Sequence, residues 1–152
     1  MTSISSVSTL ETRLSAMARP VLAGPLVRWI GLLGLCAAYL QGSLMKLFDF
    51  DSAIAEMNHF GLSPAPVFAA VVIAFELATS AMVLTGKFRW IGALALGAFT
   101  LMATFLALRF WDMPYGPDRS MATNAFFEHL GLTGGFLLVA WHDLQRTPNP
   151  RY

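Results

Sequence analysis

The chain has 152 residues, 56% of them apolar and only 12% charged, with a mean hydropathy of +0.59 and a formal net charge of +1. The length suits a single domain, while the composition excludes an ordinary water-soluble protein and supplies no basic surface for nucleic acid. One cysteine, Cys36, excludes an intramolecular disulfide, a CxxC redox pair and a cysteine-based zinc site.

In chain order, residues 1–25 are rich in Ser and Thr and end in "ARPVLAGP". Pro20 and Pro25 predict a loose or amphipathic tail with little order before residue 20. "LGLC" at 33–36 puts Leu35 where a lipoprotein signal needs a small residue, so the first apolar run is expected to stay as an anchor. Four runs, 26–47, 66–86, 90–110 and 124–142, approach the ~20 apolar residues that cross a bilayer. Between the first two, Phe50, Ile54, Met57 and Phe60 recur at helical spacing before Gly61 and Pro64, which predicts a short helix in the membrane interface. "TGKFRW" reads as a tight turn between runs two and three, and "WDMPYGPDRSMAT" as a loop between three and four. The expected fold is all-α: an integral membrane four-helix bundle over residues 26–142, with that interfacial helix between helices one and two. Residues 1–25 and 143–152 form tails.

Arg13, Arg19, Arg28, Lys87, Arg89, Arg146 and Arg151 fall on one side of these runs, against Lys46, Arg109 and Arg119 on the other. Basic residues favour the cytoplasmic face, so both termini are expected there, in a bacterial inner membrane. Asp49, Asp51, Glu56, Asp112, Asp118 and Glu128 make the outer face acidic.

Ionisable groups near or within the runs are the candidate site. Lys46 and Arg109 end helices one and three on the outer side, and Asn124, Glu128 and His129 open helix four there. Glu76 lies ten residues into helix two, about 15 Å deep. Charging a carboxylate at that depth costs about 2.5–3.5 kcal/mol, so Glu76 must be paired, wet or protonated. Gly34, Ala38, Gly42 and Lys46 recur every fourth residue, and Asn124, Glu128, Gly131 and Gly135 share another stripe. Both are expected to face the bundle interior. The plainer readings are that Lys46 and Arg109 snorkel to water and that Glu128 and His129 cap a helix start. Candidate catalytic residues are Glu76 and His129; candidate ligand-binding residues are Lys46, Glu76, Arg109, Asn124, Glu128 and His129. No metal site is expected: His129 and His142 are about 20 Å apart on one helix, and His59 lacks a spacing signature. Trp29, Trp90, Trp111, Tyr115 and Trp141 fit an interfacial aromatic belt.

The ordered pieces "GSLMK", "AEMNHFGLSP", "FELATSAMVLTGKFRWIGA" and "TNAFFEHLGLTGGFLL" resemble the DoxX family of four-helix bacterial membrane proteins, over residues 26–142. The matching positions are Gly42 and Lys46, Glu76, the turn Gly86–Lys87–Arg89, and Asn124, His129, Gly134 and Gly135. The family is named for similarity to DoxD, the membrane subunit of an archaeal thiosulfate:quinone oxidoreductase. The resemblance thus implies a membrane subunit tied to quinone-linked redox or oxidative-stress chemistry, and assigns no catalytic role to Lys46, Glu76 or His129. The expected ligand is a quinone, with no covalently bound cofactor, since the sequence has no haem, flavin or iron–sulfur motif. Expected partners are the lipid bilayer, a membrane redox protein and a second copy of the chain. The alternatives are a binding or transport protein for a lipid or small anion, and a non-catalytic scaffold.

Overall fold

Residues 2–146 are described, with side chains from residue 9 onward, in a computed structural model; every regular element among them is helical. By its contacts the chain divides into two units, Met1–Gly34 and Leu35–Tyr152.

The first unit holds α1 (Thr2–Leu22) and the start of α2 (Pro25–Phe48). The expectation of little order before residue 20 is therefore corrected: the leader is helical. Pro20, one turn from the end, leaves the Ala16 carbonyl without its helical donor, but Leu, Glu, Arg, Ala and Met between residues 10 and 19 are strong helix formers and carry the helix past it to Leu22. The break comes at Ala23 and Gly24, and Pro25 opens α2, a position where its locked φ favours the helix.

In the second unit, Asp49 caps α3 (Phe50–His59), accepting from the Ser52 amide at 3.1 Å, and Gly61 at φ 71° ends it. α3 does more than float in an interface. Ala53 and Met57 bury themselves against Ala65 and Ala69 of α4 (Ala65–Thr85). Gly86, at φ 85°, closes α4, and Arg89 folds back over the turn to donate from Nε to the Val83 carbonyl at 2.7 Å. α5 (Arg89–Ala107) then returns so close to α4 that a Cβ on Gly92 would lie 2.8 Å from the Thr79 carbonyl.

α6 (Pro117–Arg146) runs back along α5, with Phe136 over Gly97 and Arg89 reaching Asp143 at 3.5 Å. It starts at Pro117, not 124, because Pro at the first position and Asp118 in the first turn both favour a helix start. The expected long loop shrinks to 113–116 after a 3₁₀ turn at Phe110–Asp112. Asp143–Arg146 form the last turn of α6, and the rest of the expected C-terminal tail lies outside the described residues. From Leu35 on, α2 seats on the other helices through Cys36, Tyr39 and Ser43, with Tyr39 edge-on to Phe136 at 5.6 Å.

Three helical stretches are long and apolar enough to cross a membrane: Pro25–Phe48, Ala65–Thr85 and Arg89–Asp112. The chain is a multi-pass membrane protein. The expected fourth span, 124–142, lies in a helix longer than the others, but Asn124, Glu128, His129 and His142 leave it too polar to join that set.

Gly92→Val is expected to destabilise the α4–α5 pair by about 1–3 kcal/mol, because backbone blocks the new side chain. Gly131→Ala, which meets open space inside α6, should stabilise against thermal unfolding in detergent by up to about 1 kcal/mol.

Candidate functional site

α2 and α4 run antiparallel, so their side chains lean toward each other. Cβ atoms tilt toward a helix's N-terminus, which sends Lys46 inward from the end of α2 and Glu76 outward from the middle of α4. Lys46 Nζ lies 3.9 Å from Glu76 Oε2 and 3.7 Å from Glu56 Oε2. Ser43, one turn back on the same face as Lys46, donates to Glu76 Oε2 at 2.8 Å. Lys46 is 19% exposed and Glu76 only 7%, so the lysine points into protein instead of snorkelling. Glu56 is 43% exposed and brings α3 into the cluster. One cation is thus shared by a buried and an open carboxylate.

Beside this cluster lies a cavity of about 140 Å³. Lys46 and Glu56 stand at its polar end; Met57, Phe60, Leu62, Val72, Phe99, Met102, Ala103, Leu106 and Ala107 make the remaining walls. Val72, Phe99 and Met102 also bound a second, wholly apolar hollow between α4 and α5, about 480 Å³ in size, with Phe68, Val71, Phe75, Ala95 and Ala98. The two spaces share that wall. An amphiphile with a polar, hydrogen-bonding head and a hydrophobic tail matches this sequence of surfaces.

A second polar track runs through the interior. The Tyr39 hydroxyl meets Thr100 Oγ1, Thr104 Oγ1 donates to the Thr100 carbonyl at 2.6 Å, and His129 Nδ1 lies 3.0 Å from Thr104 Oγ1. Thr100 Oγ1 donates to the Leu96 carbonyl at 2.6 Å. A carbonyl therefore interrupts the line of hydroxyls, and the track holds helices together without forming a continuous proton path. Ser80 Oγ is buried, with the Cys36 thiol as its polar neighbour.

Of the candidate residues, the structure unites Lys46 and Glu76 and leaves the others elsewhere. Arg109 lies beyond the end of α5, pairs locally with Asp112 at 2.6 Å, and is 60% exposed. Asn124 and Glu128 are exposed and His129 is half-buried against α5. Of the two stripes expected to face inward, Lys46 on α2 and Gly135 on α6 do so, and most of the rest does not. Ala38 is exposed, and a Cβ on Gly34 or Gly42 would touch nothing; on α6 Phe126, Thr133, Phe136 and Ala140 face the core while Asn124, Glu128 and Gly131 face out. Close approach is made at Gly92 and Gly97 of α5 and, within the expected α6 stripe, at Gly135, where a Cβ would lie 2.9 Å from Leu35. Small residues permit contact but do not say which face the partner takes. Sequence reasoning missed Ser43, Glu56, Tyr39, Thr100 and Thr104. Ser43 had a signal, its three-residue spacing from Lys46; Glu56 had none before α3 was seen to pack on α4.

Lys46→Met is expected to cost about 1–3 kcal/mol in denaturant-induced unfolding, by stripping Glu76 of its cation. That is less than the ~3–5 kcal/mol of a fully buried pair, since Ser43 still donates and Lys46 is partly exposed. Lys46→Met with Glu76→Gln should recover much of the loss, a coupling above about 0.5 kcal/mol. Arg109→Gln should shift unfolding by less than about 0.5 kcal/mol, because both members of its pair are solvent-exposed.

No curated protein and no solved structure matches the chain significantly. A family model described as DoxX matches residues 20–109, a stretch that contains Lys46, Glu56, Glu76 and the walls of both hollows but stops short of α6 and His129. With more than half of its length in that match, the chain belongs to the DoxX family.

Proposed function

We propose that this DoxX-family protein is a membrane subunit of a quinone-linked redox system, and that the space beside Lys46 takes a quinone ring. The single observation that carries this reading is a lysine shared by Glu56 and Glu76 at the polar end of an otherwise apolar cavity. A quinone supplies two-electron, two-proton chemistry when bound. In this arrangement the Lys46 ammonium donates to a carbonyl oxygen and Glu56 and Glu76 hold or release protons beside it. Phe99 and Met102 offer the tail an apolar path toward the second hollow. Electrons come from a partner protein bearing a flavin or metal centre, for which the sequence has no motif of its own. The basic residues at both ends of the chain support a bacterial inner-membrane protein with cytoplasmic termini.

A second reading has one specific observation in its favour: Ser43 and Lys46 tie α2 to Glu76 of α4, as a structural scaffold would require. Arg109, which a scaffold of mutually paired charges would also engage, stays apart.

Organic extraction and mass spectrometry of the gently purified protein separate these readings. A near-stoichiometric quinone is expected from the wild type, with loss in Lys46→Met and in Phe99→Trp, which fills the cavity without touching the charges. Phospholipid alone, unchanged by Phe99→Trp, would overturn the quinone assignment and favour lipid binding or scaffolding.

A further inference from the structure

The family match begins at residue 20, so membership says nothing about most of α1. Leu10, Leu14, Met17 and Val21 recur at steps of four, three and four and therefore share one face. Their exposures are 59%, 57%, 75% and 67%. Thr12, Ser15 and Arg19 occupy the opposite face, and Arg13 flanks the stripe. We propose that α1 lies in the plane of the membrane surface, its apolar face immersed and its arginines bound to anionic phospholipid headgroups.

Two observations select the bilayer as the occupant of that stripe. First, only Ala23 and Gly24 separate α1 from α2, a helix long and apolar enough to span the membrane. The exposed apolar surface continues across this link through Leu22, Leu26, Val27 and Ile30. The stripe therefore meets the bilayer where the span enters it, and burial there removes four large side chains from water. Second, the charge has the matching sign. Residues 1–34 contain Arg13, Arg19 and Arg28 against a single acid, Glu11, and an anionic leaflet attracts such a segment.

The test uses the full chain in nanodiscs of phosphatidylcholine, with or without phosphatidylglycerol. Nitroxide labels at Met17→Cys and Ser15→Cys report accessibility to oxygen and to a water-soluble nickel chelate. The Met17 label should be several-fold less accessible to nickel than the Ser15 label, and the contrast should grow when phosphatidylglycerol is present. Equal nickel accessibility at both positions would overturn the proposal, and so would strong dipolar broadening at Met17 without oxygen preference, which marks pairing with a second copy. Tryptic cleavage after Arg13 checks the unsubstituted chain. Slower cleavage with phosphatidylglycerol than without it supports the anionic surface, and equal rates in the two lipids overturn it.

Discussion

A carboxylate in a hydrocarbon layer must find a partner, and the pairing of Glu76 with Ser43 and Lys46 is the constraint on which the second unit turns. A one-turn slide of α2 against α4, about 5.4 Å, would break at least one of the two contacts that Ser43 and Lys46 make with Glu76. The buried charge thus sets register where apolar packing alone tolerates several. Cys36 near Ser80 and Ser43 on Glu76 continue the same antiparallel alignment.

The packing elsewhere follows from small residues on α5. Gly92 draws α4 close and Gly97 admits Phe136 of α6, so α5 is the helix along which its neighbours align. Toward the Lys46 end, Phe99 and Met102 of α5 line both hollows, and Met57 of α3 with Phe60 at its end walls the smaller one. The smaller hollow lies next to the charged cluster. Shape and charge arise from different residues of the same helices.

Helices α2 to α5 could be placed from hydropathy, turn residues and caps because those signals are local. Faces were harder. The fourfold spacing of Gly34, Ala38 and Gly42 suggested a packed seam, yet the packed seam is Cys36, Tyr39 and Ser43, about a third of a turn away. Both are reasonable helix faces, and only the position of the neighbouring helices distinguishes them. The leader misled for a related reason: Pro20 signals a stop, but upstream propensity builds a helix that runs past the proline to Leu22.

Arg109 and Lys46 look equivalent as cations near helix ends. Backbone geometry separates them, because α5 ends at Ala107 and leaves Arg109 to pair with Asp112 three residues on. Composition and hydropathy by themselves determined a helical multi-pass membrane protein and singled out Lys46 and Glu76 as residues that must be accommodated, since desolvation acts on each residue wherever it sits. Tertiary structure decided that these two meet, that Ser43 and Glu56 join them, and that Asn124 and Glu128 face outward. Pairing depends on which helix faces converge, and that is a property of the packed bundle and not of any one segment.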